Sequence, residues 1–228
     1  MLSGLNPCQL LMVIPGEGGV GKSKMIQTIT ENFEQHGVAH LLAKSAYTGI
    51  TATIIDGKTL HVIAQIPING QECSQRATKK LIIFWQHHLY LIINEKSMLS
   101  HKFLTCISVP ISKAKSLAGV ANAELPFGGA NIILIRDFHQ FPPVISRPVC
   151  WLIDPLKDDG KELLGRSLYE QFHVVVHLTQ QVQVIDGEWI DLLHHIRNGS
   201  CHAHHIKMLQ SLVITNPGCV PTDFSTTP

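Results

Sequence analysis

The segment "GEGGVGKS", Gly16 to Ser23, constrains this chain more than any other. It fits G-x-x-x-x-G-K-[ST] and stands between an apolar run, residues 9–14, and the amphipathic stretch "KSKMIQTITENFEQHG". A strand that turns through glycines into a helix is the context in which this pattern cradles phosphates. Glycines let the backbone curl until successive N–H groups face one anion. The start of the helix adds the positive end of its dipole. In that arrangement Gly16, Gly18, Gly19, Val20 and Gly21 form the cradle, and Lys22 reaches the β- and γ-phosphates. The Ser23 hydroxyl ligates magnesium. A nucleotide with Mg2+ is the expected occupant.

Four more apolar runs, residues 38–43, 89–93, 131–135 and 172–178, are nearly continuous rather than alternating. That is the pattern of strands in a parallel sheet covered on both faces. Between the runs 9–14 and 38–43, Met25, Ile26, Ile29 and Phe33 share one helical face, and Gly37 supplies a stop. Strand, helix and strand at this spacing make a βαβ unit and an α/β domain. A second helix is expected over "EWIDLLHHIRNG", with Asp186 as N-cap and Gly199 past its end. The Pro- and Thr-rich "VITNPGCVPTDFSTTP" that follows reads as loop, and no internal repeat is present.

Charge adds little. The 18 Lys and Arg nearly balance the 17 Asp and Glu, so any nucleic-acid surface has to be local. The six cysteines include no Cys-x-x-Cys pair and read as reduced thiols of a cytosolic or nuclear protein. The early run "LLMVIP" lacks a preceding basic segment, so no signal peptide is read. No apolar stretch has the length of a membrane span. The expectation is a soluble intracellular protein without membrane partners. Among the 14 histidines, the group Cys201, His202, His204 and His205 offers zinc-type donors. It lacks a second cysteine pair and surrounds a helix end, so a solvated surface and no structural metal are expected.

Several segments resemble, in the same order, the PIF-type (petite integration frequency) DNA helicases, five-prime-to-three-prime motors of superfamily one. "LNPCQL" is similar to the family's adenine-reading segment, which gives Gln9 an amide contact to the base; without the resemblance Gln9 is equally a surface residue entering a strand. "AYTGITATIIDGKTLH" resembles the single-strand DNA segment, and implies DNA contacts from Thr48, Gly49, Thr59 and His61 through small, closely approaching groups. An ordinary turn followed by a core histidine is the plain alternative. "PFGGANIILIRDFHQFPPV" resembles the motif that links nucleotide state to DNA binding, which places Asp137 near the metal and Gln140 at the γ-phosphate or attacking water. "GRSLYEQF" and "LTQQVQVIDGEWIDLLHHIRNG" resemble the end of the first motor domain and the beginning of the next. The resemblance implies a RecA-like P-loop NTPase domain over residues 1–180, a mostly parallel sheet with helices on both faces. Residues 181–228 are then a helical extension into a second motor domain that is absent or truncated. It also implies ATP and Mg2+ as cofactors, and single-stranded or forked DNA as partner. Roles in DNA repair, recombination and telomere maintenance, in the nucleus or mitochondrion, go with it. The oligomeric state is not legible.

Three positions depart from the family pattern. "YLIINEKSML" ends its apolar run in Asn94-Glu95 where the family has Asp-Glu. Glu95, the base that orients water, is kept, while the metal-ligand slot has lost its anion. Arg136 stands where glycine is usual, and Gln183 where an arginine faces the γ-phosphate. Only about 50 residues follow the last apolar run, fewer than a second motor domain of ordinary size. The expectation is therefore a truncated and catalytically impaired helicase. The alternative is a non-catalytic ATP- or DNA-binding remnant. A small-molecule kinase shares the loop but leaves the DNA-type segments unexplained.

Overall fold

The computed structural model describes residues 8–66, 75–94, 99–137, 159–213 and 215. Their strands are β1 (Leu11–Pro15), β2 (Leu42–Ala46), β3 (Lys58–Thr59), β4 (Tyr90–Asn94), β5 (Asn131–Arg136) and β6 (Val174–Val175). All pair in parallel, in the order β3-β2-β4-β5-β1-β6. Because the strands are parallel, their carboxyl ends share one edge, and the connections must cross over through helices.

Both faces are covered, which is why the strands read as unbroken apolar runs. Leu11 and Val13 of β1, Leu91 and Ile93 of β4, and Ile132 and Leu134 of β5 join one buried cluster. There they meet residues of α3 (Leu60–Ile63), α4 (Gln75–Trp85), α5 (His101–Leu117) and α6 (Gly160–Glu170). The alternate residues Ile14, Ile92, Ile133 and Ile135 form a second cluster with Ile26, Met25 and Ile29 of α1 (Lys22–Gln35). Successive side chains of a strand point to opposite faces, so one run feeds two cores. This is the α/β architecture of a RecA-like P-loop NTPase, helices on both sides of a parallel sheet.

Several buried polar groups in the core are satisfied by backbone carbonyls. Fully buried Trp85 donates its indole N–H to the Ile63 carbonyl at 2.9 Å, fixing α4 against α3. Ser45 sits fully buried in β2 and donates to the Ile92 carbonyl at 3.0 Å. The contact between α5 and α6 is close because Gly165 has no side chain. A Cβ there would collide with the His101 carbonyl oxygen. Thr105 donates across the same contact to the Lys161 carbonyl at 2.7 Å. Asp159 caps α6 by accepting from the Lys161 and Glu162 amides, and Glu162 returns a bond to the Asp159 amide.

Two strands differ from the sequence expectation. The run 38–43 forms a strand only from Leu42, and β2 extends through Lys44 and Ser45 to Ala46. Residues Ala39–Leu41 make a single 3-10 turn, closed by Leu41 N–H to the Val38 carbonyl. The polar residues hid the strand's second half, because one of them is buried on a hydrogen bond. The run 172–178 is cut to β6, an edge strand whose valines are exposed. Its apolar character reflects β-branched preference for an extended backbone rather than burial.

By contact the chain divides into two compact units, Met1–Gln180 and Gln181–Pro228. The second contains α7 (Gly187–Arg197) and α8 (Ala203–Ser211). Asp186 is the N-cap of α7 and accepts from the Glu188 and Trp189 amides at 2.9 and 3.2 Å. None of the described helices is long and apolar enough to cross a membrane.

Candidate nucleotide site and the neighbouring strand ends

The glycine segment leaves the carboxyl end of β1 and enters α1, and its shape follows from three glycines. Gly19 and Gly21 hold φ of 83° and 85°, the left-handed region that costs a side-chain residue energy. At Gly16 a Cβ would meet Val20 Cγ2 at 2.7 Å, so the loop closes on its own first residue only because that residue is glycine. Gly16 is also bridged in parallel to Leu178, which anchors the loop to the sheet's edge. Gly21 is the N-cap of α1 and no side chain caps the helix. Its dipole therefore meets the loop without a competing carboxylate. Lys22 folds over the loop, with Nζ donating to the Gly16 carbonyl at 3.1 Å and the Glu17 carbonyl at 2.6 Å. Ser23 is exposed in the first turn of α1.

These residues fit a nucleotide's phosphates. The curled backbone, the positive helix end and a lysine held over the hollow are the three elements a phosphate cradle needs. The Ser23 hydroxyl is accessible for a magnesium ion beside them.

Two strands of the same sheet end alongside. β5 is the direct neighbour of β1, with Pro15 opposite Arg136. Asp137 follows at once and is 3% exposed. β4 is next to β5 and ends on Asn94, 7% exposed, which lies opposite Ala46. Asn94, Asp137 and the phosphate loop thus stand at the carboxyl ends of three adjacent parallel strands, the edge where α/β sheets hold ligands. Asn94 is a buried neutral amide at the end of this row. Arg136 closes β5, and its side chain is outside the description. Glu95 and Gln140 lie outside the described residues. Gln183 belongs to the second unit, where it is exposed and its amide N–H donates to the Gln181 side chain at 3.2 Å.

The structure does not bring Gln9 to this edge. Gln9 precedes β1, whereas the loop follows it, and five strand residues at about 3.3 Å each separate them. Its amide nitrogen donates to the Pro126 and Ala130 carbonyls at 2.7 and 2.6 Å. That ties the chain's start to the turn before β5.

The four residues of the DNA-type segment do come together, around the carboxyl end of β2. Thr48 caps α2 (Gly49–Ile54), accepting from the Thr51 amide at 3.3 Å, and Gly49 is the helix's first residue. Thr59 lies opposite Ala46 and is followed by α3, which carries His61. The His61 ring packs 5.7 Å from Tyr47 and 5.1 Å from Phe103, which themselves stand 5.3 Å apart. Sequence reasoning missed Tyr47 and Phe103. Tyr47 directly precedes Thr48, but nothing in the spacing pairs either ring with His61.

The family model described as PIF1-like helicase matches residues 5–207. The chain belongs to this family. Relatives include the ATP-dependent DNA helicase RRM3 of Saccharomyces cerevisiae, 28% identical over 221 residues, which cover 93% of this chain and 29% of that protein. The ATP-dependent DNA helicase PIF1 of Xenopus laevis is 30% identical over 210 residues, covering 88% and 29%. The chain thus spans less than a third of the length of these relatives. Among solved structures, the Pif1 helicase from Candida albicans superposes with a TM-score of 0.71 at 22% identity, over 96% of this chain and 46% of that one. Bacteroides Pif1 in complex with ADP-AlF3 and single-stranded DNA gives 0.65 at 21% identity, over 96% and 49%. The family's fold is therefore common to both.

Proposed function

We propose that the chain is the nucleotide-binding motor domain of a PIF1-type ATP-dependent DNA helicase, with hydrolysis slowed by Asn94, Arg136 and Gln183. The observation that carries this reading is the curled glycine loop of Gly16–Ser23, with Lys22 folded over it, on the same sheet edge as a buried Asn94. Lys22 exchanges its loop carbonyls for the β- and γ-phosphates, while the loop amides and the start of α1 hold the remaining oxygens. Ser23 and Asp137 are the groups that would hold Mg2+, and Asn94 offers it one carbonyl oxygen without charge. The ion, when bound, neutralises charge that develops between the phosphates. Glu95 orients the attacking water and Gln140 senses the γ-phosphate, roles that rest on the family pattern. Thr48, Gly49, Thr59 and His61 face the sugar-phosphate backbone of single-stranded or forked DNA. Support comes from their meeting at the end of β2, on the same edge of the sheet as the cradle.

Loss of a preorganised charge at an active site costs about 10²–10³ in rate. Binding falls less, because the backbone supplies most phosphate contacts. The test is ATP turnover with and without single-stranded DNA, on this chain and on Asn94→Asp. Faster turnover in the variant supports the reading; an unchanged rate sinks it. A second reading, a binding module without catalysis, is favoured by the buried neutral amide of Asn94. It predicts saturable ATP binding and no DNA-stimulated turnover in either protein.

A further inference from the structure

The second unit contains a group of side chains that nothing in the nucleotide site uses. Asp191 and His195 lie one turn apart on α7, and His205 lies in the first turn of α8. One Asp191 oxygen is 2.7 Å from His205 Nε2, and the other is 3.5 Å from His195 Nε2. One ligand atom from each of the three residues lies within 4.8 Å of the others. His205 is 1% exposed. His204 Nε2 stands 3.8 Å from Asp191, and the His202 ring is 4.7 Å from that of His195. We propose that Asp191, His195 and His205 form a binding site for a divalent transition-metal ion of the zinc type, which clamps α7 to α8.

Two imidazoles and a carboxylate are borderline donors that suit zinc rather than magnesium or calcium. Donors around such an ion at 2.0–2.1 Å stand about 3.3 Å apart, so the observed separations need adjustments of an ångström or so. His195 is already oriented for the task. Its Nδ1 is 2.9 Å from the Ser200 hydroxyl, which leaves Nε2 turned toward Asp191. Such a partner on the remote nitrogen is the usual way a ligating imidazole is held. The hydrogen bond from His205 holds the Asp191 carboxyl below the usual range.

His205 supplies the coupling. Its Nδ1 accepts the His202 amide N–H at 3.1 Å, so Nε2 carries the ring proton that faces Asp191. When the ion binds, the Nε2–H bond breaks and a metal–nitrogen bond forms. The proton is rebound at Nδ1, and the His202 N–H turns to water. The first turn of α8 therefore responds to the ion. The zinc-type set named from sequence, Cys201, His202, His204 and His205, shares only His205 with this group. The missed signal was Asp191 and His195, four residues apart and so on one helical face.

The test is calorimetric titration of the chelator-stripped full chain with ZnCl2, alongside Asp191→Ala, His195→Ala and His40→Ala, with His40 in the other unit as control. The expected result is one equivalent bound, with affinity at least tenfold weaker in the first two variants and unchanged in the third, since loss of a ligand costs no less than loss of its supporting partner. No binding, or equal binding in all four proteins, overturns the proposal. Should the variants fail to fold, imidazole nitrogen spectra of the wild-type chain decide. Zinc must shift Nε2 of both His195 and His205, and an ion that leaves either unmoved contradicts the site.

Discussion

The loop after β1 and the end of β4 belong to one edge of one sheet, yet they are specified in different ways. The loop's shape is written in backbone: two left-handed glycines, a third that lets the chain close on Val20, and a helix start that no side chain caps. At the end of β4 the backbone is ordinary parallel strand, and the departure from the family pattern is a single buried side chain, Asn94. Exchanging a carboxylate for its amide leaves such a strand end in place and removes its charge. If Asn94 holds the metal-ligand slot as proposed, phosphate binding is expected to survive where phosphoryl transfer is slowed.

That contrast is most strongly tested at Asn94. Asn94→Asp is expected to raise ATP turnover by about 10²–10³-fold, while the affinity for ATP changes much less. The same variant should unfold at lower temperature without Mg2+ than with it, because a buried carboxylate needs a cation nearby. Equal thermal stability with and without the ion would mean that Asn94 is not in a metal slot.

Gly165 is a second place where backbone alone decides. Gly165→Ala forces α6 away from α5, since the added carbon would meet the His101 carbonyl. Thermal or urea unfolding should show a loss of about 3 kcal/mol, the upper end for over-packing. A change below roughly 0.5 kcal/mol would mean that the two helices are not so closely packed in solution.

The smallest effect concerns Lys115, a buried side chain in α5 that is 1% exposed. Its Nζ donates to the His88 carbonyl at 2.8 Å, and burial holds its pKa below the ordinary 10.5. The unfolded chain therefore binds this proton more tightly than the folded one. Stability should rise with pH between the lowered value and 10.5, and be fully penalised below that window. Lys115→Met should flatten this part of the stability profile. A profile identical to wild type would show that Lys115 titrates normally.

Much of this was readable from sequence, for reasons that differ along the chain. The turn from β1 into α1 was legible because its glycines answer local geometric needs. β4 and β5 were legible because strands buried on both faces leave no polar residue to interrupt them. β2 was displaced because Lys44 and Ser45 look like solvent residues, and only the bond from Ser45 to the Ile92 carbonyl makes the second one a core position. β3, two residues long, carries no periodicity. Gln9 had the right chemistry for a base edge, but five residues of strand lie between it and the phosphates, a separation that only the fold displays. The Tyr47–His61–Phe103 packing and the Asp191–His195–His205 group both join residues from separate elements, which spacing in one chain does not reveal.

Every role proposed for the nucleotide site requires Gly16–Ser23 to grip a triphosphate. The direct measurement is equilibrium titration of the wild-type chain and of Lys22→Ala with a fluorescent ATP analogue and Mg2+. One saturable site is expected in the wild type, at least tenfold weaker once the lysine is removed, as the loss of a charged bond worth about 1.5–3 kcal/mol requires. Absence of saturable binding, or equal affinity in the two proteins, would contradict it.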